Sequence, residues 1–157
     1  MNGWKNTLVT MAAMAAMAVG YCAVRAQTAA AATRSVWDGV YTDAQAKRGL
    51  QIYLSDCASC HGRRLEGIDD APSLAGKEFM DSWDGRTLGA LFLKMRKMPR
   101  DAPGRLSPAE YADALAYILS VNKFPAGSAE VSQDAEVLRF IRLELAKPAA
   151  ARPVQKK

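Results

Sequence analysis

One short motif constrains this chain more than any other feature: Cys57-Ala58-Ser59-Cys60-His61, which holds the only histidine among the 157 residues. Two thiols three positions apart lie on one turn of backbone, where both can form thioethers to the vinyl groups of one porphyrin. The next residue then places an imidazole beneath the iron. Cys-x-x-Cys-His is the attachment signature of a c-type haem, and one histidine limits the chain to one haem without bis-histidine ligation.

Two other kinds of chemistry use the same residue types. A zinc site would need a fourth ligand besides Cys57, Cys60 and His61. A thioredoxin-like dithiol site would need βαβ units, which the hydrophobic pattern does not contain. The motif therefore favours one covalent haem, with iron as its metal, over these alternatives.

Residues 1–26 have the features of a secretory signal peptide. Lys5 supplies a positive charge, an apolar run rich in Ala and Met extends from Leu8 to Val24, and small residues around Ala26 offer a cleavage site. The run is shorter than the ~20 residues that cross a bilayer comfortably. We therefore expect cleavage and export to the periplasm, with an uncleaved membrane anchor as the alternative.

Removing this signal peptide changes the number of cysteines and the balance of charge. Cys22 is lost, so Cys57 and Cys60 remain without a partner for a structural disulfide. Of the 21 basic residues, 15 lie in residues 27–144, which also contain 16 acidic residues. The basic pI of the full chain is therefore a poor guide to partners, and nucleic-acid binding is not indicated.

The remaining residues predict an all-α domain, because no window shows sustained alternation of apolar and polar residues. Thr42 with Gln45, and Ser107 with Glu110, form capping-box patterns that begin two helices, and Thr87 can cap a third. The expected helices are 43–55, 77–82, 88–97, 108–121 and 132–146. The expected segments are a disordered leader at 27–37, a core domain at 38–128, an additional amphipathic helix at 129–146 and a disordered basic tail at 147–157.

The additional helix has two possible roles. Its apolar stripe, which contains Val137, Leu138, Ile141 and Leu145, packs on the domain in one interpretation and docks on a larger enzyme in the other.

Three methionines outside residues 1–26 are candidates for a second axial ligand to the iron: Met80, Met95 and Met98. Met98 precedes Pro99, which drives the residue before it out of the helical region. Its thioether can therefore be laid across a flat cofactor at the end of a helix. Met95 lies one helical turn earlier on the apolar stripe, and Met80 and Met95 both fit core packing. We predict His61 and Met98 as the axial pair.

The chain resembles small monohaem class I cytochromes c, of the type that accompanies bacterial quinoprotein dehydrogenases. The resemblance covers about residues 38–128 and rests on motifs that follow one another in order. They are Gly49-x-x-x-Tyr53, Cys57-x-x-Cys60-His61-Gly62, the run 71–76, Met98-Pro99, Pro103-Gly104, Leu106-Ser107, Tyr111-Ala112-Asp113, the run 116–119, Asn122 and the run 124–127.

The resemblance implies a fold in which helices pack around one covalently bound haem. It implies that the first helix crosses the Ser107-capped helix at Gly49, that the Pro72 carbonyl contacts the N–H of His61, and that Trp83 contacts a haem propionate. The Pro72 contact would fix the imidazole tautomer. The cofactor-binding residues are then Cys57, Cys60, His61, Met98 and Pro72, the metal ligands are His61 and Met98, and no residue is catalytic.

These features predict a periplasmic one-electron carrier rather than an enzyme. Its redox protein partners are expected to be a dehydrogenase or quinol-linked complex as donor and an oxidase or another cytochrome as acceptor. The alternatives are a haem subunit fixed in a larger oxidoreductase complex, and an enzyme or gas sensor with an open sixth site. A basic cluster around Met98 is predicted to steer an acidic partner: Lys94, Arg96, Lys97, Arg100 and Arg105.

Overall fold

The computed structural model describes residues 34–148. The signal peptide predicted at 1–26, most of the leader and most of the C-terminal tail lie outside these residues. Within residues 34–148, no helix is both long enough and apolar enough to cross a membrane.

Six helices and one small sheet make up this part of the chain, so the predicted helical class is confirmed with one addition. The helices are α1 (Asp43–Asp56), α2 (Ala58–His61), α3 (Gly76–Trp83), α4 (Leu88–Met95), α5 (Pro108–Val121) and α6 (Ala135–Leu138). Two-residue strands β1 (Arg34–Ser35) and β2 (Ile141–Arg142) pair in parallel, and a 3₁₀ turn spans Val36–Asp38.

The packing of α1 against α5 is the most extensive contact between two helices. Gly49 lies at the crossing, where a Cβ on this residue would overlap the backbone carbonyl of Asp113. Arg48 reinforces the crossing with two hydrogen bonds to the Asp113 carboxylate, at 2.8 and 2.9 Å. The predicted close approach at Gly49 is therefore present.

Local caps set the starts of three helices as predicted. The Thr42 hydroxyl accepts from Gln45 N at 3.1 Å, and the Thr87 hydroxyl accepts from Ala90 N at 3.2 Å. Ser107 and Glu110 form a complete capping box. The helix that Thr87 begins ends at Met95 instead of Lys97, because the chain tightens into a turn in which Met98 N donates to Met95 O.

The capping box predicted at Thr42 is only half formed. The Gln45 side chain is buried and turns away from the helix start. Its Nε2 donates to Val131 O at 3.2 Å and its Oε1 accepts from Val131 N at 2.7 Å. The Gln45 side chain therefore hydrogen-bonds to the distant backbone of Val131 instead of to the backbone of Thr42.

The predicted boundary of the disordered leader is wrong at residues 34–37. Arg34 and Ser35 form β1, and Val36 is fully buried. Trp37 donates from Nε1 to Glu144 O at 3.0 Å and packs edge-on against Phe124. The contacts that order these residues come from the other end of the chain.

The helix predicted over 129–146 is also wrong, because only the turn Ala135–Leu138 is helical. Beyond it the chain is extended, with Ile141 and Leu143 buried and Arg142 exposed between them. Alternate residues of an extended chain point to opposite sides, so this pattern belongs to a strand packed on the domain. Leu138 and Ile141 are three positions apart, a spacing that also fits one face of a helix. Spacing alone therefore pointed to a helix at two residues that are buried in the observed structure.

Candidate functional site

The two cysteines and the histidine share one tight turn directly after α1. Cys57 N donates to Tyr53 O at 2.9 Å, and Cys57 O accepts from Cys60 N at 3.2 Å and His61 N at 2.9 Å. Both thiols are free, with Cys57 half-buried and Cys60 exposed. The turn therefore presents two unpaired thiols and an imidazole within five residues.

The environment of Cys57 does not activate its thiol. Burial, and to a smaller extent the neighbouring Asp56 carboxylate, raise the pKa of this thiol to about 11. Redox-active and nucleophilic cysteines have lowered pKa values instead, because the thiolate is the reactive form. The structure thus gives no support to the dithiol alternative.

One nitrogen of the His61 ring is committed to the backbone. Its Nδ1 lies 2.8 Å from the carbonyl oxygen of Pro72, which is the contact that the resemblance implied. A carbonyl oxygen only accepts, so this bond requires the proton on Nδ1. In the neutral ring Nε2 then carries the lone pair, and this is the form of imidazole that binds a metal.

The loop that carries Pro72 is held by residues that the sequence did not single out for this role. Leu65 is fully buried with a left-handed backbone, at a φ of 65°. Its carbonyl accepts from Leu74 N at 2.9 Å and from the Ser73 hydroxyl at 3.0 Å. At the start of the loop, the Tyr53 hydroxyl donates to Gly62 O at 2.7 Å. These bonds fix both sides of the segment beneath His61.

The far end of the same loop is tied to α5. Asn122, at the end of α5, donates from Nδ2 to Leu74 O at 2.9 Å and accepts from Gly76 N at 3.0 Å through Oδ1. Asn122 appeared in the sequence only as one residue of the resembling motifs. Its partners lie almost fifty positions away along the chain, so spacing gave no signal of them.

The three candidate methionines occupy different environments. Met80 is buried in the hydrophobic core and Met95 packs partly against it. Met98 lies in the turn after α4 and is half-buried, and its carbonyl accepts from the Tyr111 hydroxyl at 2.7 Å. Its backbone is therefore held by α5, while its side chain stays outside the core cluster.

Residues 44–118 match the model of the family described as cytochrome C oxidase, cbb3-type, subunit III. The chain contains a small class I cytochrome c domain. Searches of the curated proteins and of the solved structures found no match. The matched residues run from α1 into α5, and they include the Cys-x-x-Cys-His turn, Pro72 and Met98.

A cytochrome c domain implies a covalent haem c with iron and electron transfer by that haem. The donor set of this chain fits such a group: two free thiols on one turn, and an imidazole whose Nδ1 is already bonded. Within residues 34–148, no three His, Cys, Asp or Glu side chains gather as a metal site. Several half-buried apolar side chains pack at the edge of the core, among them Leu74, Trp83, Met95 and Leu106.

Trp83 forms part of this edge of the cytochrome c domain. Its ring lies 6.4 Å from that of Phe79, between centroids, and the Arg86 guanidinium lies 4.3 Å from the Trp83 ring centroid. These contacts hold the ring between α3 and the turn before α4. Its contact with a haem propionate stays a prediction.

The basic cluster predicted around Met98 is divided in the structure. Arg105 forms an ion pair with Asp56, whose side chain is only 10% exposed, so part of its charge is neutralised. Lys94 and Lys97 instead line an open groove of about 300 Å³ on the outer side of α4. We call this the α4 groove; its other lining residues are Trp83, Arg86, Ala90 and Leu93.

Proposed function

We propose that this protein is a periplasmic one-electron carrier with a single haem c attached through Cys57 and Cys60. His61 and Met98 are its axial ligands. The observation that carries the proposal is the bond between His61 Nδ1 and Pro72 O, which leaves Nε2 free beside two unpaired thiols. The sequence contains no second histidine to compete with it.

The chain's own residues orient and tune the cofactor. A bound haem supplies a one-electron couple between Fe(III) and Fe(II). Pro72 fixes the tautomer of His61 and makes the imidazole a better donor. Thioether ligation by Met98 raises the reduction potential relative to bis-histidine ligation. Electrons would then pass from a dehydrogenase or quinol-linked complex to an oxidase or another cytochrome of higher potential.

Absorption spectra of the purified holoprotein test the axial pair. We expect a low-spin haem with a weak far-red sulfur-to-iron band, which Met98→Ala removes while producing a high-spin haem that binds carbon monoxide. Met95→Ala is the matched control and keeps the band. A band that survives in Met98→Ala would move the ligand elsewhere, and a high-spin wild-type haem would favour the open-site enzyme or sensor.

The α4 groove is the surface that we propose for docking an acidic redox partner. Three cations line it without an acidic residue, and Leu93 beside them is 47% exposed. Charge of one sign raises the rate of encounter with a partner of opposite charge, and salt weakens this effect. Residues 34–148 provide no ion-pair partner for Lys94 or Lys97.

The rate of reduction by candidate donors, measured against ionic strength, tests this docking surface. Lys94→Glu and Lys97→Glu are expected to slow reduction at low salt and to flatten its salt dependence. Lys47→Glu, an equal charge change at an exposed position on α1, is the control. A wild-type rate that does not change with salt contradicts the proposal.

A second candidate function is a haem subunit fixed in a larger oxidoreductase complex. Two observations favour it: the matching family is described as a subunit of an oxidase, and the C-terminal segment leaves Val137, Phe140 and Leu145 between 41% and 51% exposed. Size-exclusion chromatography of the periplasmic fraction separates the two. A free carrier elutes at the size of one chain, whereas a subunit elutes with its complex.

Export to the periplasm is the remaining part of the proposal. Cell fractionation and the N-terminal sequence of the purified protein test it together. A periplasmic protein that begins near Gln27 supports cleavage, and a membrane fraction that retains Lys5 supports the uncleaved anchor.

A further inference from the structure

The segment Asp134–Leu145, which we call the C-terminal strap, lies outside the residues that match the family. It contains α6 and β2 and runs beside the turn Asp84–Thr87, which connects α3 to α4. The strap therefore contacts the domain at the element that leads toward Met98.

Backbone hydrogen bonds join the strap to this turn in both directions. Gly85 N donates to Leu143 O and Leu143 N donates to Arg86 O, each at 2.8 Å. Two side chains add to the pairing: Arg142 Nη1 donates to Gly85 O at 2.9 Å, and Leu145 N donates to Asp84 Oδ1 at 2.7 Å. Four bonds across three residues of a turn leave its backbone little freedom.

The strap also packs directly on α4. A Cβ on Gly89 would lie 2.8 Å from Ala135 O and 2.9 Å from Arg139 N, so the backbones of α4 and α6 approach as closely as a glycine permits. Leu138 and Leu143 are fully buried in this contact region of the core. The strap thus packs against the first turn of α4 at Gly89.

The other end of α4 continues into the Met98 turn. Arg96 N donates to Phe92 O at 3.0 Å and Met98 N donates to Met95 O at 2.8 Å. An eight-residue helix is about 12 Å long, and α4 connects the strap contact at Gly89 to the Met98 turn. Met98 is also held from α5, because the Tyr111 hydroxyl donates to Met98 O at 2.7 Å.

We propose that the C-terminal strap is a positioning element for Met98: it fixes α4, and through α4 it holds the Met98 thioether on the iron. The strap itself does not reach the metal. The proposal rests on the function proposed above, because it needs Met98 as a ligand. The path that we infer runs from the strap contact at Gly89 along α4 to the Met98 turn, through packed elements of the kind that carry coupling between sites.

The test compares loss of the far-red band with global unfolding in the holoprotein. Asp84→Ala removes one strap bond without a core cavity, and Leu143→Ala removes buried strap contacts. Along a guanidinium titration, the band and the far-UV circular dichroism are recorded together. For Asp84→Ala we expect an about fivefold rise in the equilibrium constant for band loss, the effect of one net hydrogen bond, with a smaller change in global unfolding.

The control for the buried truncation is Leu119→Ala, a fully buried leucine on α5. It should shift both transitions together, whereas Leu143→Ala should separate them further. If the strap variants also shift both transitions together, the strap is only a stabilising segment and the inference is wrong. If the wild-type holoprotein lacks the band, Met98 ligation fails first and the strap has no ligand to position.

Discussion

Gly49 is a residue at which one missing side chain decides how closely two helices pack. Its position in the Gly-x-x-x-Tyr motif predicted the close approach, and the structure places the Asp113 carbonyl where a Cβ would be. The overlapping atom belongs to the backbone of α5, so it cannot move aside as a flexible side chain would. The helices must separate to accommodate any substitution.

Gly49→Ala is therefore expected to lower the free energy of unfolding by about 1–3 kcal/mol, the usual cost of overpacking. Lys47→Ala, an exposed change in the same helix, should stay within about 0.5 kcal/mol of wild type. Denaturant titrations of the holoproteins measure both. Equal stability of the Gly49→Ala variant and wild type would contradict the close crossing.

Asp56 is a second residue whose environment makes a measurable prediction. Hydrogen bonds from the Ser55 hydroxyl and from Arg105 hold the pKa of the Asp56 carboxyl below its usual range, against the opposing effect of burial. A lowered pKa in the folded state means that the ionised carboxylate stabilises the fold. This stabilisation is present at neutral pH and is lost as pH falls below about 4 through the folded pKa.

Asp56→Asn should therefore cost about 1 kcal/mol at pH 7, a modest value because Arg105 is half exposed and its charge is screened. The difference from wild type should shrink as the pH approaches 3. Thermal unfolding at pH 7, 5 and 3 measures it. A difference that stays constant across this range would show that the charge of Asp56 is not the cause.

At the scale of elements, the helix predicted over 129–146 and the observed C-terminal segment differ in how they place two leucines. The predicted long helix placed Leu138 and Leu145 on one apolar stripe, to be packed on the domain or docked on a larger enzyme. The structure buries Leu138 and leaves Leu145 51% exposed, because the chain becomes extended after α6. The two leucines are thus chemically matched probes of the difference.

Leu138→Ala is expected to cost about 2–5 kcal/mol, as is typical of buried leucines. Leu145→Ala should cost less than about 1 kcal/mol, because the Leu145 side chain is already half exposed and its truncation removes little buried apolar area. Denaturant titration of the two variants measures both costs. Equal costs would restore the predicted helix.

The elements that the sequence predicted correctly are those whose signals are local. The caps of α1, α4 and α5 each lie within three residues of the helix that they begin. The leader boundary and the strap depended on partners about a hundred and about sixty positions away, such as Glu144 for Trp37 and Arg86 for Leu143. Such pairings leave no periodicity in either segment.

The site shows the same division. Its chemical residues, Cys57, Cys60 and His61, are adjacent in the chain and could be found from spacing. Pro72 could be found only from the resemblance, because its contact with His61 spans eleven positions. Leu65 supports that loop through its backbone carbonyl, and Asn122 appeared only as one residue of the resembling motifs, with partners almost fifty positions away.

For the whole molecule, charge determines how the proposed carrier would meet its partner. The basic and acidic residues in the range 27–144 nearly balance, so the domain has little net charge with which to attract a partner from a distance. Recognition then depends on local surfaces such as the α4 groove. The central claim is that this molecule holds one haem, attached at one turn.

Haem stoichiometry tests that claim most directly. The intact mass of the purified, denatured holoprotein and its pyridine haemochrome spectrum are measured for wild type and for Cys57→Ala/Cys60→Ala. We predict one covalent haem per wild-type chain and none in the double variant. A denatured wild-type chain that carries no haem, or a double variant that keeps a covalent haem, would contradict the account.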